Sequence, residues 1–188
     1  MDVLKEGSII RYTLAGALAY LIAGIVEGFI LLRYEAMLGF PVEGIIAGFI
    51  LGLFIRKRIK ITRTVLASLV AIVIGLFGGA FIGLLIYDGY YVPSIISGLL
   101  VGGLFGLIIG AGKESLYFAL IGAVVFFVGD MLVASVNVLE GGFYNFITDL
   151  SGENGYRVVI VALTALYHGI AIGLGTGVYL RTKSRKLI

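Results

Sequence analysis

The chain has no cysteine and no tryptophan, only two prolines and one histidine, and just 13% charged residues. Without cysteine, disulfides and thiolate-held metal centres are excluded. Glutamine is missing too, and asparagine occurs only as Asn137, Asn145 and Asn154. Ordinary soluble domains carry roughly a quarter charged residues. Here 60% of the 188 residues are hydrophobic and the mean hydropathy is +1.12, which excludes that class. Strand-like alternation is absent, so a membrane β-barrel is excluded as well. These absences leave an all-α integral membrane protein, one polytopic domain over residues 1–188.

Six apolar stretches predict transmembrane helices at roughly 12–32, 39–55, 65–87, 92–111, 116–138 and 158–180. Each approaches the ~20 residues needed to cross a ~30 Å hydrocarbon core, the second being shortest. Lysine and arginine set the orientation. Lys5, Arg11, Arg56, Lys57, Arg58, Lys60, Arg63, Lys113, Arg181, Lys183, Arg185 and Lys186 fall on one side of such a bundle, and only Arg33 and Arg157 on the other. Both termini are therefore expected in the cytoplasm of a multi-pass cell-membrane protein. Tyrosine replaces tryptophan at the interfaces: Tyr12, Tyr117 and Tyr179 on the inner side; Tyr34, Tyr87, Tyr90, Tyr91 and Tyr156 on the outer. The first stretch is too long for the core of a cleaved signal and lacks a cleavage site, so it is expected to stay as an anchor. The Arg56–Arg63 run is a topology signal and a contact for anionic lipid, not a nucleic-acid patch.

The segment 139–157 is expected as an outer loop, in which Phe143, Phe146, Ile147 and Leu150 recur at the spacing of a short surface helix. The even helices are alike: GIIAGFILGLF from Gly44, SIISGLLVGGL from Ser94 and GIAIGLGTGVY from Gly169. Aligned, they superpose Gly48, Gly98 and Gly173, then Gly52, Gly102 and Gly177, which suggests a threefold repeat of helical hairpins. Small residues four apart share one helix face and let backbones approach closely, as Gly-xxx-Gly stripes do in lipid. Ala15, Ala19 and Ala23 form such a stripe on the first helix. Packing inside the bundle is the expected use of these faces, and docking of another membrane subunit the second.

Against this apolar background stand Glu27, Glu43, Asp130 and His168. A charge at membrane depth costs at least ~2.5 kcal/mol, so such residues usually face a protein interior or a wet cavity. Counting at ~1.5 Å per residue from Arg56 and Arg181 places Glu43 and His168 about 20 Å from the inner flank. The same count from Arg11 and Lys113 places Glu27 and Asp130 at about 24–26 Å. Four groups from four helices thus share one layer. Glu43, Pro93 and His168 each precede an anchor of the repeat, one residue or ~100° off the glycine face. Asp130, Ala134 and Asn137 share a face, as do Thr164 and His168, and Tyr20 and Tyr167 add hydroxyls. Simpler roles exist for each: Glu43 as a wet carboxylate at its helix start, Glu27 reaching the outer surface, Asp130 and His168 paired as a structural bridge.

Three carboxylates and an imidazole predict a substrate-binding layer for a small cation: a protonated amine, a proton or a divalent metal. Glu140, Asp149 and Glu153 in the outer segment would concentrate cations at its entrance. No cofactor site is expected. The paired aspartates of intramembrane aspartyl proteases are not matched: Asp88 sits at the outer surface, and Phe127 stands where the motif before Asp130 needs glycine. No nucleophile elbow, zinc-protease or phosphate-loop pattern occurs, so no enzyme is expected. The sequence therefore predicts a small multi-pass transporter, or the membrane-embedded substrate-binding subunit of one. A scaffold or anchor packing through glycine faces, or an oligomeric channel, is the alternative. In architecture the chain is similar to the substrate-binding components of energy-coupling-factor transporters, six-helix proteins of this size. The Ala15-Ala19-Ala23 stripe carries the residue-level likeness, which implies an outward site and a partner that supplies ATP coupling.

Overall fold

The structure, a computed structural model, describes residues 8–33, 39–86, 91–138 and 143–185. Among the described residues six α-helices follow one another: α1 Ile9–Leu31, α2 Gly39–Ile55, α3 Ile61–Ile86, α4 Tyr91–Ile109, α5 Ser115–Val138 and α6 Phe143–Arg185. Five stretches are long and apolar enough to cross a membrane, and α2, at 17 residues, is a shorter apolar helix. α2 matches its apolar run, whereas α3 begins earlier because its polar first turn, Thr62-Arg63-Thr64, continues the same spiral. Both prolines fall in first turns, Pro41 in α2 and Pro93 in α4. Proline is tolerated there because the first helical N–H groups have no intrahelical acceptor anyway.

Helix covers the stretch of the outer segment where the spacing of Phe143, Phe146, Ile147 and Leu150 predicts it, and only the loop reading after Gly152 needs correction. Helix resumes at Phe143 and is interrupted only at Gly152, whose φ of 73° and ψ of 175° break the spiral. Residues 153–157 therefore lengthen the last span, even though Asn154 and Gly155 are weak helix formers. Residues 139–142, with Glu140, lie outside the described residues, as do the side chains of Phe143, Phe146 and Leu150.

Each helix packs on the next in the chain, and α6 returns to α1, closing a ring. Neighbours run antiparallel: Gly52 meets Ile61 while Gly44 meets Leu69, and Gly177 meets Ile9 while Gly28 meets Val158. Arg11, Arg56–Arg63, Lys113, Arg181 and Lys183 consequently gather at one end, the basic end. Tyr12 and Tyr179 of the predicted inner aromatic belt instead point into the bundle (7% and 8% exposed), while Tyr117 is exposed. Tyr34, Tyr87 and Tyr90 lie outside the described residues, and so does the Tyr91 side chain.

The aligned glycines share one role. A methyl on Gly48 would stand 2.7 Å from the Val65 Cα of α3. On Gly102 it would strike the Phe118 carbonyl of α5, and on Gly173 the Tyr12 carbonyl of α1. Each even helix is thus seated on the following odd one, with α6 seated on α1. Without a hydrophobic drive between helices in lipid, this close backbone contact is what holds them. Ala15, Ala19 and Ala23 are buried as well, so the stripe is occupied within the chain and is not a free face for another subunit. Outward, α1 presents Leu14, Leu18, Ile22 and Phe29, all exposed and apolar, as a lipid-facing surface requires.

The turn between α4 and α5 ends α4 in a left-handed cap. Gly110 has φ 87°, its N–H bonds the Leu107 carbonyl, and the Ala111 N–H reaches back to Gly106. This is the double bond of a Schellman motif, which satisfies carbonyls left open at the helix end. The Arg63 side chain of α3 adds a bond to the Ile108 carbonyl.

Candidate functional site

All six helices contribute to one cavity of about 430 Å³, and Glu27, Glu43, Asp130 and His168 all line it. Its half-exposed rim, Leu31, Phe40, Pro93 and Ile160, comes from the end of α1 and the beginnings of α2, α4 and the long part of α6. The mouth therefore lies at the end of the bundle opposite the basic end. Much of the wall is apolar: Phe40, Leu76, Phe126, Val161 and Ala165.

The polar groups form two clusters. In the first, His168 Nδ1 lies 3.0 Å from Glu43 Oε1, with both residues almost fully buried (2% and 1% exposed side chains). Against an ionised carboxylate Nδ1 carries the proton, which leaves Nε2 to accept in a neutral ring or donate in a charged one. That Nε2 is buried and has no hydrogen-bond partner among the described residues. The Glu27 carboxyl faces Glu43 from α1. Its stem rests against Gly39, where a methyl would come within 2.8 Å of Glu27 Oε1. Glycine at the start of α2 thus makes room for the carboxylate.

In the second cluster, half-buried Asp130 accepts hydrogen bonds from the Tyr167 hydroxyl at Oδ1 and the Ser94 hydroxyl at Oδ2. Thr164 lies beside the same Tyr167 hydroxyl. Aromatic rings join the clusters. Phe126 stacks on the His168 ring at 4.6 Å and 19°, and Tyr167 meets that ring edge-on at 4.8 Å and 90°. A methyl on Gly129 would stand 3.0 Å from the Tyr167 Cβ, so glycine beside Asp130 lets that ring sit close.

The simpler roles are corrected by this geometry. Glu43 is buried rather than a wet helix-start carboxylate, and Glu27, 2% exposed, does not reach the outer surface. Asp130 and His168 do not bridge each other, because each is taken by other partners. Ala134 is exposed, so the face running beyond Asp130 leaves the cavity, and the Asn137 side chain lies outside the described residues. Tyr20 is fully buried near Ser68 and off the cavity wall. Asp88 lies outside the described residues. Sequence reasoning missed Ser94, Ser97, Phe40, Phe126 and Leu76. Ser94 had a signal, as the lone hydroxyl at the first repeat position where the other even helices carry glycine; the apolar residues had none.

Among the described residues no three His, Asp or Glu side chains stand close enough together to hold a metal ion. No family model, curated protein or solved structure matches this chain.

Proposed function

We propose that this chain is a six-helix membrane protein that binds a small organic cation in its central cavity and takes part in its uptake across the cell membrane. The observation that carries this reading is the convergence of Glu27, Glu43, Asp130 and His168, from four different helices, on one cavity. Structural ion pairs alone do not require a cavity of about 430 Å³ beside them. That volume suits a small solute, within the usual 300–1,000 Å³ range of ligand pockets. Carboxylates supply the charge complement, and Phe40, Phe126 and Tyr167 offer ring surfaces that attract a cation. The separation of the acidic groups into two clusters favours a protonated amine with an apolar body over a divalent metal.

The lysine and arginine bias puts the basic end and both termini in the cytoplasm, so the mouth faces outward. In this reading α2 is the sixth span, and the glycine alignment is a threefold repeat in which α6 pairs with α1. The function is transport or solute capture, without catalysis. Glycine faces occupied inside the ring speak against a scaffold that docks through them. A thermal-shift screen of detergent-purified protein against amines and divalent metals, with Asp130→Asn alongside, tests the reading. An amine at a hundred times its dissociation constant should add about 2.7 kcal/mol to wild-type stability. The reading fails if no amine shifts the wild type, or if Asp130→Asn shifts equally.

A further inference from the structure

The charge of the central cavity is unbalanced in a way that points to a particular solute. Its wall carries three carboxylates, Glu27, Glu43 and Asp130, and one imidazole, with no lysine or arginine among the described residues that line it. The rest of the mouth end does not supply one. Arg33 and Arg157 are exposed and off that wall, and the segments joining α1 to α2, α3 to α4 and α5 to α6 (34–38, 87–90 and 139–142) contain no lysine or arginine. Glu27 and Glu43 face each other. Facing carboxylates repel until a cation or a shared proton lies among them. With one proton held among Glu27, Glu43 and His168, the first cluster keeps one net negative charge and Asp130 keeps another.

Each cluster also has an open acceptor. His168 lines the cavity, and its buried Nε2 has no hydrogen-bond partner among the described residues. In a neutral ring whose Nδ1 proton faces Glu43, that nitrogen accepts an N–H. Asp130 accepts from the Tyr167 and Ser94 hydroxyls, and an ionised carboxylate has about four acceptor positions. Between the clusters the wall is apolar. The Phe126 ring lies 4.6 Å from the His168 ring and 5.3 Å from the Tyr167 ring, and Leu76 belongs to the same lining. A methylene chain suits that stretch and is removed from water along it.

Resting on the organic-cation reading, we infer that the solute is a diamine, two protonated amino groups joined by a short apolar chain. One ammonium sits at Glu27, Glu43 and His168 Nε2, and the other at Asp130, with the chain lying over Phe126. The second ammonium adds a charge-assisted hydrogen bond that a monoamine cannot make at the same time. Because the two clusters are held on different helices, the length of the chain decides whether both ends engage.

The test measures binding to the detergent-purified full chain by equilibrium dialysis, in mildly alkaline buffer that reduces competition by protons. The probes are the terminal diamines of propane, pentane and octane, with pentylamine as the single-headed control. The best diamine should bind about tenfold tighter than pentylamine, at the usual worth of a hydrogen bond to a charged group. One chain length should bind best, with weaker binding on either side or at the longest. Glu27→Gln and Asp130→Asn each remove one charge with little change of shape, and unfolding temperature reports that both are folded. In each, the advantage of the diamine should fall to the statistical benefit of having two heads. Pentylamine binding as tightly as the best diamine, affinity that rises steadily from propane to octane, or an advantage that survives both substitutions would each overturn the assignment. In those cases amines still bind and the organic-cation reading stands; if neither pentylamine nor any diamine binds, both fall.

Discussion

The two halves of the bundle are built from similar helices and do opposite things. Toward the basic end, the interior is filled. Phe105, Phe118 and Tyr179 lie against one another, with ring centroids 5.8 and 6.3 Å apart along the series, and Leu51, Ile55, Ile109 and Leu180 are buried around them. Toward the other end, the same six helices leave a cavity and place the buried Glu27, Glu43 and His168 on its wall. The difference comes from what stands beside the glycine faces. In the filled half Phe105, Phe118 and Tyr179 pack on one another and close the space, whereas Phe126 and Tyr167 in the open half pack on His168 and leave the cavity beside them. In the open half, Glu43, Pro93 and His168 occupy that place, and they are too short, too polar or too rigid to fill it. Tight seams and a hollow centre are therefore compatible: glycine joins helices edge to edge while the next residue sets what the middle contains.

The filled half should be the more sensitive to added volume. Gly102→Ala puts a methyl into the Phe118 carbonyl, whereas the neighbouring Gly103→Ala meets only the Ala119 Cβ at 3.5 Å. The first is expected to lose about 3 kcal/mol, and the second to be neutral or slightly stabilising. Thermal unfolding of the pair in one detergent measures the contrast. In the open half, Glu43→Ala strips the buried His168 of its partner and should cost about 2–3 kcal/mol. If unfolding is unchanged, the Glu43–His168 contact contributes nothing to the fold. Tyr167→Phe removes one of the two hydroxyls on Asp130 and should cost about 1 kcal/mol. Binding of any amine found in the screen should weaken severalfold in the same variant. The smallest effect on stability belongs to the rim: Ile160→Trp narrows the mouth at a half-exposed position and should shift stability by less than about 0.5 kcal/mol. Amine binding should nevertheless be lost, which equilibrium dialysis reads directly.

Much of this was written in the sequence. The helices, the basic end and the layer of Glu27, Glu43, Asp130 and His168 follow from hydropathy and counting, because lipid leaves the backbone few alternatives. The pairing within the layer did not follow. Depth comes from residue number, but azimuth depends on how each helix is rotated in the ring. Counting put Glu43 and His168 at one depth without assigning them to each other: His168 met Glu43 rather than the Asp130 of the structural bridge, and Asp130 met Tyr167 and Ser94. The likeness to energy-coupling-factor components failed to locate a docking face for the same reason: spacing marks a stripe without saying which way it points, and Ala15, Ala19 and Ala23 point inward. The helix before Gly152 was legible in the spacing of Phe143, Phe146, Ile147 and Leu150, whereas polar residues 153–157 read as loop, so Gly152 did not stand out as a break between two helices.

The absence of cysteine makes one measurement especially direct. Thr164→Cys places a thiol on the cavity wall, and Thr176→Cys places one in the filled half, where Thr176 has no exposure. Oriented vesicles would be treated with a membrane-impermeant maleimide from each side in turn. Labelling of Thr164→Cys only from the side opposite the basic end, with Thr176→Cys silent from both, is the predicted result. Silence of Thr164→Cys from both sides, or labelling from the basic end, would contradict a cavity that opens outward above a sealed floor.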